Sequence, residues 1–440
     1  MKMRTEQKTA VKNSIGRLVF VALSVLLQVI WICVQAMKLN RYSTWISVAT
    51  SVLTLVVVIL LYGRRTNAAF KMPWIILILA FPVLGLGMYL LFGRKEATQL
   101  VRERFERIDQ SLDGLLIQDK AVRIKLQQTD RMAANEAEYI WNYAKYPIYQ
   151  NTDVVFYKEA SEGIEAQAKH FIFMEYHAIE DKQSFGELKE ILARKAKEGV
   201  EVRLFYDDIG SIGFINTDFI QRMEAEGIQC RVFNRLMPVL NVFMNNRDHR
   251  KITVIDGKIG FTGGYNLADE YFNITHPYGY WKDTGVRLEG DAVRSLTVMF
   301  LEMWNAIKGT DTDYTPYFLQ DGAQPHEAGL AGSVADRDVG AAQSDANIAA
   351  DSASGFVQPY ADSPLDGEPV GENVYMGVVK AASEYVYFTT PYLIISDEMS
   401  RELCLAAKRG VDVRIVTPGI PDKKLVYRVT RSYYAQLASA

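Results

Sequence analysis

His249 and Lys251 sit two residues apart in Asn246-Arg247-Asp248-His249-Arg250-Lys251-Ile252-Thr253-Val254-Ile255-Asp256, a run of the form H-x-K-x-x-x-x-D. On an extended chain, residues two apart project from the same face, so this imidazole and this ammonium converge on one anion. Imidazole is a competent nucleophile for phosphorus, and a lysine beside it holds non-bridging phosphate oxygens without a metal. Gly263 and Gly264 leave backbone amides accessible to an oxyanion, and Asn266 adds a neutral donor. An H-x-K pair alone is commonly a solvated strand end; the glycine pair and the asparagine at fixed distance give it chemical weight.

The elements that must position these groups are legible around them. Residues 252–255 are β-branched throughout, Asp256-Gly257 is a strong hairpin turn, and 259–262 form a second short strand. Further upstream, 168–176 reads as an apolar strand, 185–197 as a helix and 198–205 as a helix end followed by a strand. The same order returns at 382–390, 399–408 and 409–416, and K-x-G-V-x-V-R occurs in both copies. Strand, helix, strand alternation on this scale predicts α/β units on mixed or parallel sheets. Between the copies, 321–354 holds ten alanines and no aromatic residue, a linker or surface insertion unable to offset its ordering entropy.

Arg203 precedes His249 by 46 residues, so the corresponding histidine of the second copy is expected near 460, beyond Ala440. None of His170, His177, His276 or His326 is followed by lysine two residues on. The sequence is therefore read as one complete motif followed by an incomplete second copy. A chain ending here is expected to turn over poorly unless a homo-oligomer pairs two motifs.

Composition bounds the rest. At 440 residues the chain has room for two or three domains, and a net charge of −3 argues against a nucleic-acid-coating protein. Cys33, Cys230 and Cys404 have neither paired nor metal-ligand spacing, so no disulfide and no metal site is expected. Segments 18–37, 45–62 and 72–92 contain no charged side chain and are long enough for membrane helices. Basic residues precede the first segment, but no small-residue cleavage site follows it, so the segments are read as retained anchors. Pro73, Pro82, Gly85 and Gly87 predict a kink or close contact in the third. With three spans the basic residues divide eight inside to seven outside; with two spans, the first segment staying at the interface, they divide twelve to three. The second arrangement, with a cytoplasmic catalytic domain, is favoured. The expected order is a membrane anchor over 1–107, a helical linker over 108–150, a first α/β domain over 151–310, a low-complexity linker over 311–354 and a truncated second domain over 355–440.

Together with the apolar N-terminal segments, Tyr206-Asp207-Asp208-Ile209-Gly210-Ser211, the 246–256 motif, Tyr280-Trp281-Lys282-Asp283 and Thr390-Pro391-Tyr392-Leu393 resemble the bacterial cardiolipin synthases of the phospholipase D superfamily. The resemblance implies N-terminal transmembrane helices, then a phospholipase D-like α/β/α sandwich and an incomplete second copy. It implies a multi-pass protein of the cell membrane that joins two phosphatidylglycerols and releases glycerol, with no cofactor and no metal. It further implies catalysis by His249 and Lys251, with Asp256 holding the motif's geometry and Gly263, Gly264 and Asn266 on the substrate side. Glu175, Tyr176, Asp207 and Asp283 are secondary expectations, carboxylates or a hydroxyl that orient His249 or hold Lys251. The alternatives are a phospholipase D-type phosphodiesterase that passes the phosphatidyl group to water, and a membrane protein that does not turn over.

Overall fold

Apolar side chains run without interruption through Phe171-Ile172-Phe173-Met174, and a strand of that kind is stable only where both faces are covered. A computed structural model describes residues 43–64, 68–89, 99–157, 170–216, 218–235, 247–318, 355–363 and 367–440, with a few positions between 23 and 30. The N-terminal helices are α1 (Ser43–Gly63), α2 (Ala68–Ala80), α3 (Pro82–Met88), α4 (Gln99–Leu112), α5 (Lys120–Thr129) and α6 (Arg131–Ala144). The first α/β unit follows as β1 (Thr152–Tyr157), β2 (Phe171–Tyr176), α7 (Gln183–Lys197), β3 (Glu201–Asp207), α8 (Phe219–Ala225), β4 (Gln229–Phe233), β5 (Lys251–Ile255), β6 (Ile259–Gly263), β7 (Gly285–Gly290) and α9 (Val293–Ile307). Its seven strands form one mixed sheet in the order β1-β7-β6-β5-β2-β3-β4.

Every residue of β2 is buried, and its period of two divides it between two cores. Ile172, Met174 and Tyr176 pack with Phe185 and Leu192 of α7 and Phe219 and Met223 of α8. Phe171 and Phe173 pack on the opposite face with Phe300 and Trp304 of α9, the rings of Phe173 and Phe300 stacking 4.6 Å apart. This is the expected α/β/α sandwich. The stretch 108–150 is more than a linker: Leu112 and Ile140 of its helices, with Tyr146 and Tyr149 of the segment after them, enter the core around α9.

The second copy contains α10 (Val370–Ala381), β8 (Tyr385–Thr389), α11 (Asp397–Lys408), β9 (Asp412–Val416), α12 (Lys424–Ser432) and α13 (Tyr434–Ala438). As in the first copy, its two strands are parallel around a crossover helix: β2 pairs with β3 and β8 with β9. α12 and α13 meet at Tyr433, whose hydroxyl donates to the Ile395 carbonyl at 2.9 Å. A short antiparallel bridge between Tyr149 and Val357, with hydrogen bonds of 2.8 and 2.9 Å, ties this copy to the first unit.

The apolar segment 18–37 lies largely outside the described residues, and Cys33 and the whole alanine-rich stretch 321–354 lie outside them. Within 72–92 the described residues form two helices that break at Phe81: α2 ends at Ala80 and Pro82 starts α3. Gly85 allows the close approach there, since a Cβ would lie 2.6 Å from the Ile78 Cα. Among the described residues no helix is long and apolar enough to cross a membrane. α2 and α3 are short, and α1 has its side chains described without a break only from Val48 onward.

Candidate active site

The Asp256-Gly257 turn sets the register on which the site depends. Both residues have positive φ, 52° and 65°, the two left-handed positions a tight hairpin requires. β5 then pairs antiparallel with β6 on one side and with β2 on the other, where Lys251 lies opposite Tyr176. The end of β2 and the start of β5 therefore meet at one edge of the sheet, with His249 two residues ahead of Lys251.

There the expected convergence is present. Lys251 Nζ donates to the His249 carbonyl at 2.6 Å and lies 3.1 Å from His249 Nδ1. An ammonium has no lone pair, so Nδ1 is the acceptor and neutral His249 carries its hydrogen on Nε2. Lys251 is buried, and that burial pushes its pKa down to about 8 against the opposing pull of Asp248, Asp283 and Glu175. His249 is open to solvent on one side, yet loss of hydration among the surrounding groups, followed by Lys251, His177 and Lys423, holds its pKa down at about 4.

Asp256, the last letter of the motif, is at the far end of β5, about 17 Å of extended chain from Lys251 at about 3.3 Å per residue. Its Oδ1 accepts the backbone amides of His170 and Phe171 at 2.7 and 2.8 Å. Asp256 therefore fixes the entry of β2 beside the turn and lies away from the His249 and Lys251 pair. Gly264 departs from the part expected of it as an open oxyanion donor. The Gly264 amide donates to the Thr284 carbonyl at 3.1 Å and is not offered to an oxyanion. What Gly264 supplies is room, since a Cβ there would lie 2.2 Å from Asp283 Oδ1; one on Gly263 would lie 2.5 Å from the Thr284 carbonyl oxygen. Buried Asn266 accepts the Ala178 amide at 3.0 Å and donates to the Tyr271 hydroxyl at 2.9 Å, so it secures the segment after β2.

The three carboxylates separate. Asp283 takes the Thr284 amide at 2.8 Å and its charge reaches Lys251, while burial raises its pKa. Asp207 is fully buried and accepts the amides of Ile209, Gly210 and Asp248 at 2.9, 3.0 and 3.1 Å, bracing the loop before His249. Glu175 neither orients His249 nor binds Lys251: it is on the α9 face, where Arg250 Nε meets it at 2.5 Å, and burial raises its pKa well above the usual carboxylate range. Tyr176 bonds Thr253 at 3.0 Å.

His177, set aside in the sequence for want of a lysine two residues on, lies beside His249 with ring centroids 4.6 Å apart. Its Nδ1 is 2.6 Å from the Asp248 carbonyl. The signal that reveals it is the antiparallel register of β2 and β5, which brings the residue after Tyr176 next to those before Lys251. Lys423, from the second copy, is a further cation whose charge reaches His249. Among the described residues no group of three or more histidine, cysteine, aspartate and glutamate side chains is arranged to hold a metal ion.

A mixed α/β sheet with an H-x-K pair at the mouth of β5 defines a phospholipase D-like domain. A family model described as "Cardiolipin synthase, PLD-like domain" matches residues 164–304 and 375–440, and one described as "Phospholipase_D-nuclease N-terminal" matches 50–94. A cardiolipin synthase of Halalkalibacterium halodurans is 30% identical over 421 residues, which cover 90% of this chain and 76% of that protein. An uncharacterized protein of Streptococcus mutans is 37% identical over 390 residues, covering 87% and 78%. Among solved structures, a phosphatidylserine synthase from Haemophilus influenzae superposes with a TM-score of 0.43 at 12% identity, covering 69% of this chain and 73% of that one. The chain belongs to the cardiolipin synthase family of the phospholipase D superfamily.

Proposed function

We propose that this protein is a cardiolipin synthase in which His249 attacks the phosphodiester of one phosphatidylglycerol, releases glycerol and passes the phosphatidyl group to a second phosphatidylglycerol. The observation that carries the reading is the Lys251 ammonium 3.1 Å from the His249 ring, in a chain of this family. With a pKa near 4, His249 is neutral at physiological pH, and with one near 8, Lys251 is mostly charged. That is the protonation pattern a nucleophile beside a phosphate-binding cation requires. Exchange of one phosphodiester for another is close to balanced, so a covalent phosphatidyl-histidine conserves the bond for the acceptor alcohol. Asp283 tunes Lys251, Asp207 braces the preceding loop, and Asn266 secures the segment facing it.

Anchoring in the cell membrane belongs to the same reading. It is supported by the charge-free segments and by Leu55, Ile59 and Leu60 of α1, each more than half exposed. The distribution of basic residues favours two spans and a cytoplasmic catalytic domain. The domain order anchor, helical segment, first unit, linker and second copy is retained, with 108–150 assigned to the core of the first unit.

The test is conversion of labelled phosphatidylglycerol to cardiolipin in vesicles. His249→Asn is expected to abolish both product and acid-labile enzyme-bound phosphatidyl label. Phosphatidic acid in place of cardiolipin would identify water as the acceptor and replace the transferase reading with the hydrolase one.

A further inference from the structure

The second copy brings to the site a cation that its own contacts do not explain. Lys423 immediately precedes α12, and its carbonyl accepts the Tyr427 amide at 2.9 Å, so its backbone is held by the first turn of that helix. Buried Thr430 of the same helix accepts the Leu393 amide at 3.0 Å, which fixes α12 against the segment that carries Tyr392. The Lys423 ammonium lies 4.9 Å from the centre of the Tyr392 ring and makes no hydrogen bond or ion pair with any described residue. Asp422, the carboxylate next to it in sequence, instead accepts the Tyr392 hydroxyl.

The neighbours of this segment locate it. A Cβ on Gly279 would meet Ile420 Cδ1 at 3.4 Å, so the residues before Lys423 pack on the 276–281 loop of the first unit. In that loop Trp281 lies against Tyr271, ring centroids 4.7 Å apart, and its Nε1 donates to Asp283 at 3.4 Å. Asp283 in turn acts on Lys251, and the charge of Lys423 reaches His249.

We propose that Lys423 binds the phosphate of the acceptor phosphatidylglycerol and so selects a phosphate-bearing alcohol over glycerol or water in the second transfer. This deepens the synthase reading above and rests on it. Lys251, on the strand that follows His249, serves the phosphate under attack. For in-line displacement the acceptor hydroxyl must reach phosphorus on the side away from His249. In a second phosphatidylglycerol that hydroxyl is joined to a further phosphate through the three-carbon glycerol chain. Two phosphates one glycerol apart call for two cations at separate points, and one from the other copy rather than from β5 meets that need. The ammonium is exposed, so a headgroup reaches it without rearrangement of the fold. Lys423 itself makes and breaks no bond; it acts on where the acceptor sits.

The test compares two acceptors in one reaction of the full chain. Vesicles of labelled phosphatidylglycerol are supplied with glycerol carrying a second label. Cardiolipin reports transfer to a phosphate-bearing acceptor, and glycerol label entering phosphatidylglycerol reports transfer to a neutral one. The ratio of the two products does not depend on how fast the enzyme-bound phosphatidyl group forms. Lys423→Gln is expected to lower that ratio about tenfold or more, the loss of one charge-assisted contact. Lys423→Arg keeps the charge and should recover most of it. An unchanged ratio in Lys423→Gln overturns the proposal: if both products fall together, Lys423 acts through the charge of His249 or through the fold, and if neither falls, it binds no acceptor. Lys423→Met reads the same ratio if the glutamine variant does not fold. Phosphatidic acid as the sole product of the unaltered chain overturns the transferase reading and this proposal with it, whereas cardiolipin from that chain with an unchanged ratio in the variant overturns this proposal alone.

Discussion

Replacing Asp256 separates the structural letter of the H-x-K-x4-D motif from its chemistry. Asp256 Oδ1 receives two backbone amides, from exposed His170 and buried Phe171. Hydrogen bonds to a charged group contribute about 1.5–3 kcal/mol each. Asp256 is half-buried, so the lower part of that range applies, about 2–3 kcal/mol for the pair after solvent is allowed for. Its φ of 52° adds a backbone penalty of about 1 kcal/mol for alanine, which asparagine largely avoids. Asp256→Ala is thus expected to lose about 3–4 kcal/mol in urea unfolding of the detergent-solubilised protein. Asp256→Asn keeps an acceptor oxygen and tolerates the backbone, so it should lose about 1 kcal/mol. Because the residue is about 17 Å along β5 from Lys251, folded Asp256→Asn should form cardiolipin within a few-fold of wild type. A loss of 100-fold or more with unchanged unfolding would show that this carboxylate takes part in the reaction and that its tie to β2 is incidental.

Two further outcomes follow from the charges around the motif. With His249 as the proposed nucleophile and Lys251 as the proposed phosphate-binding cation, kcat/KM should fall as pH drops through about 4 and as it rises through about 8; Lys251→Arg should move the alkaline limb upward, and a limb that stays put assigns it to another group. Arg250 holds buried Glu175 at 2.5 Å and Asp248 at 3.7 Å, so Arg250→Met should cost about 3–5 kcal/mol by leaving carboxylates uncompensated; part should return in Arg250→Met with Glu175→Gln, and no recovery in unfolding assays would mean the loss arises elsewhere.

Local rules carry far in this chain. The β-branched run before Asp256-Gly257 and the repeated K-x-G-V-x-V-R place β5, β6 and both parallel pairs close to where they occur. The same residues in the two copies nevertheless have different surroundings. Arg203 is buried and bidentate to Asp311 at 2.7 and 3.0 Å, whereas Arg414 is exposed and pairs only with its strand neighbour Asp412 among the ion pairs of the described residues. A sequence match therefore reports the backbone unit and not the partner of a side chain. Likewise, 108–150 is helical by composition, but its place against α9 depends on a face supplied by 293–307.

At the site the missing information is pairing. Period-two alternation already excludes Glu175 from holding Lys251: Glu175 shares the α9 face with Phe171 and Phe173, while Lys251 lies opposite Tyr176 on the other. The Gly264 amide looks available only until β6 and β7 are known to be neighbours, since it donates to the Thr284 carbonyl. His177 is the sharper case. It is 72 residues from His249, and in an unbroken ladder it would face Arg250 on the opposite side of the sheet. The chain leaves the strand after Tyr176, and the bond from the His177 ring to the Asp248 carbonyl holds the imidazole on the His249 side instead. A spacing motif finds groups aligned by one strand. A side chain brought in from a neighbouring strand end has no such spacing and becomes visible only through the register.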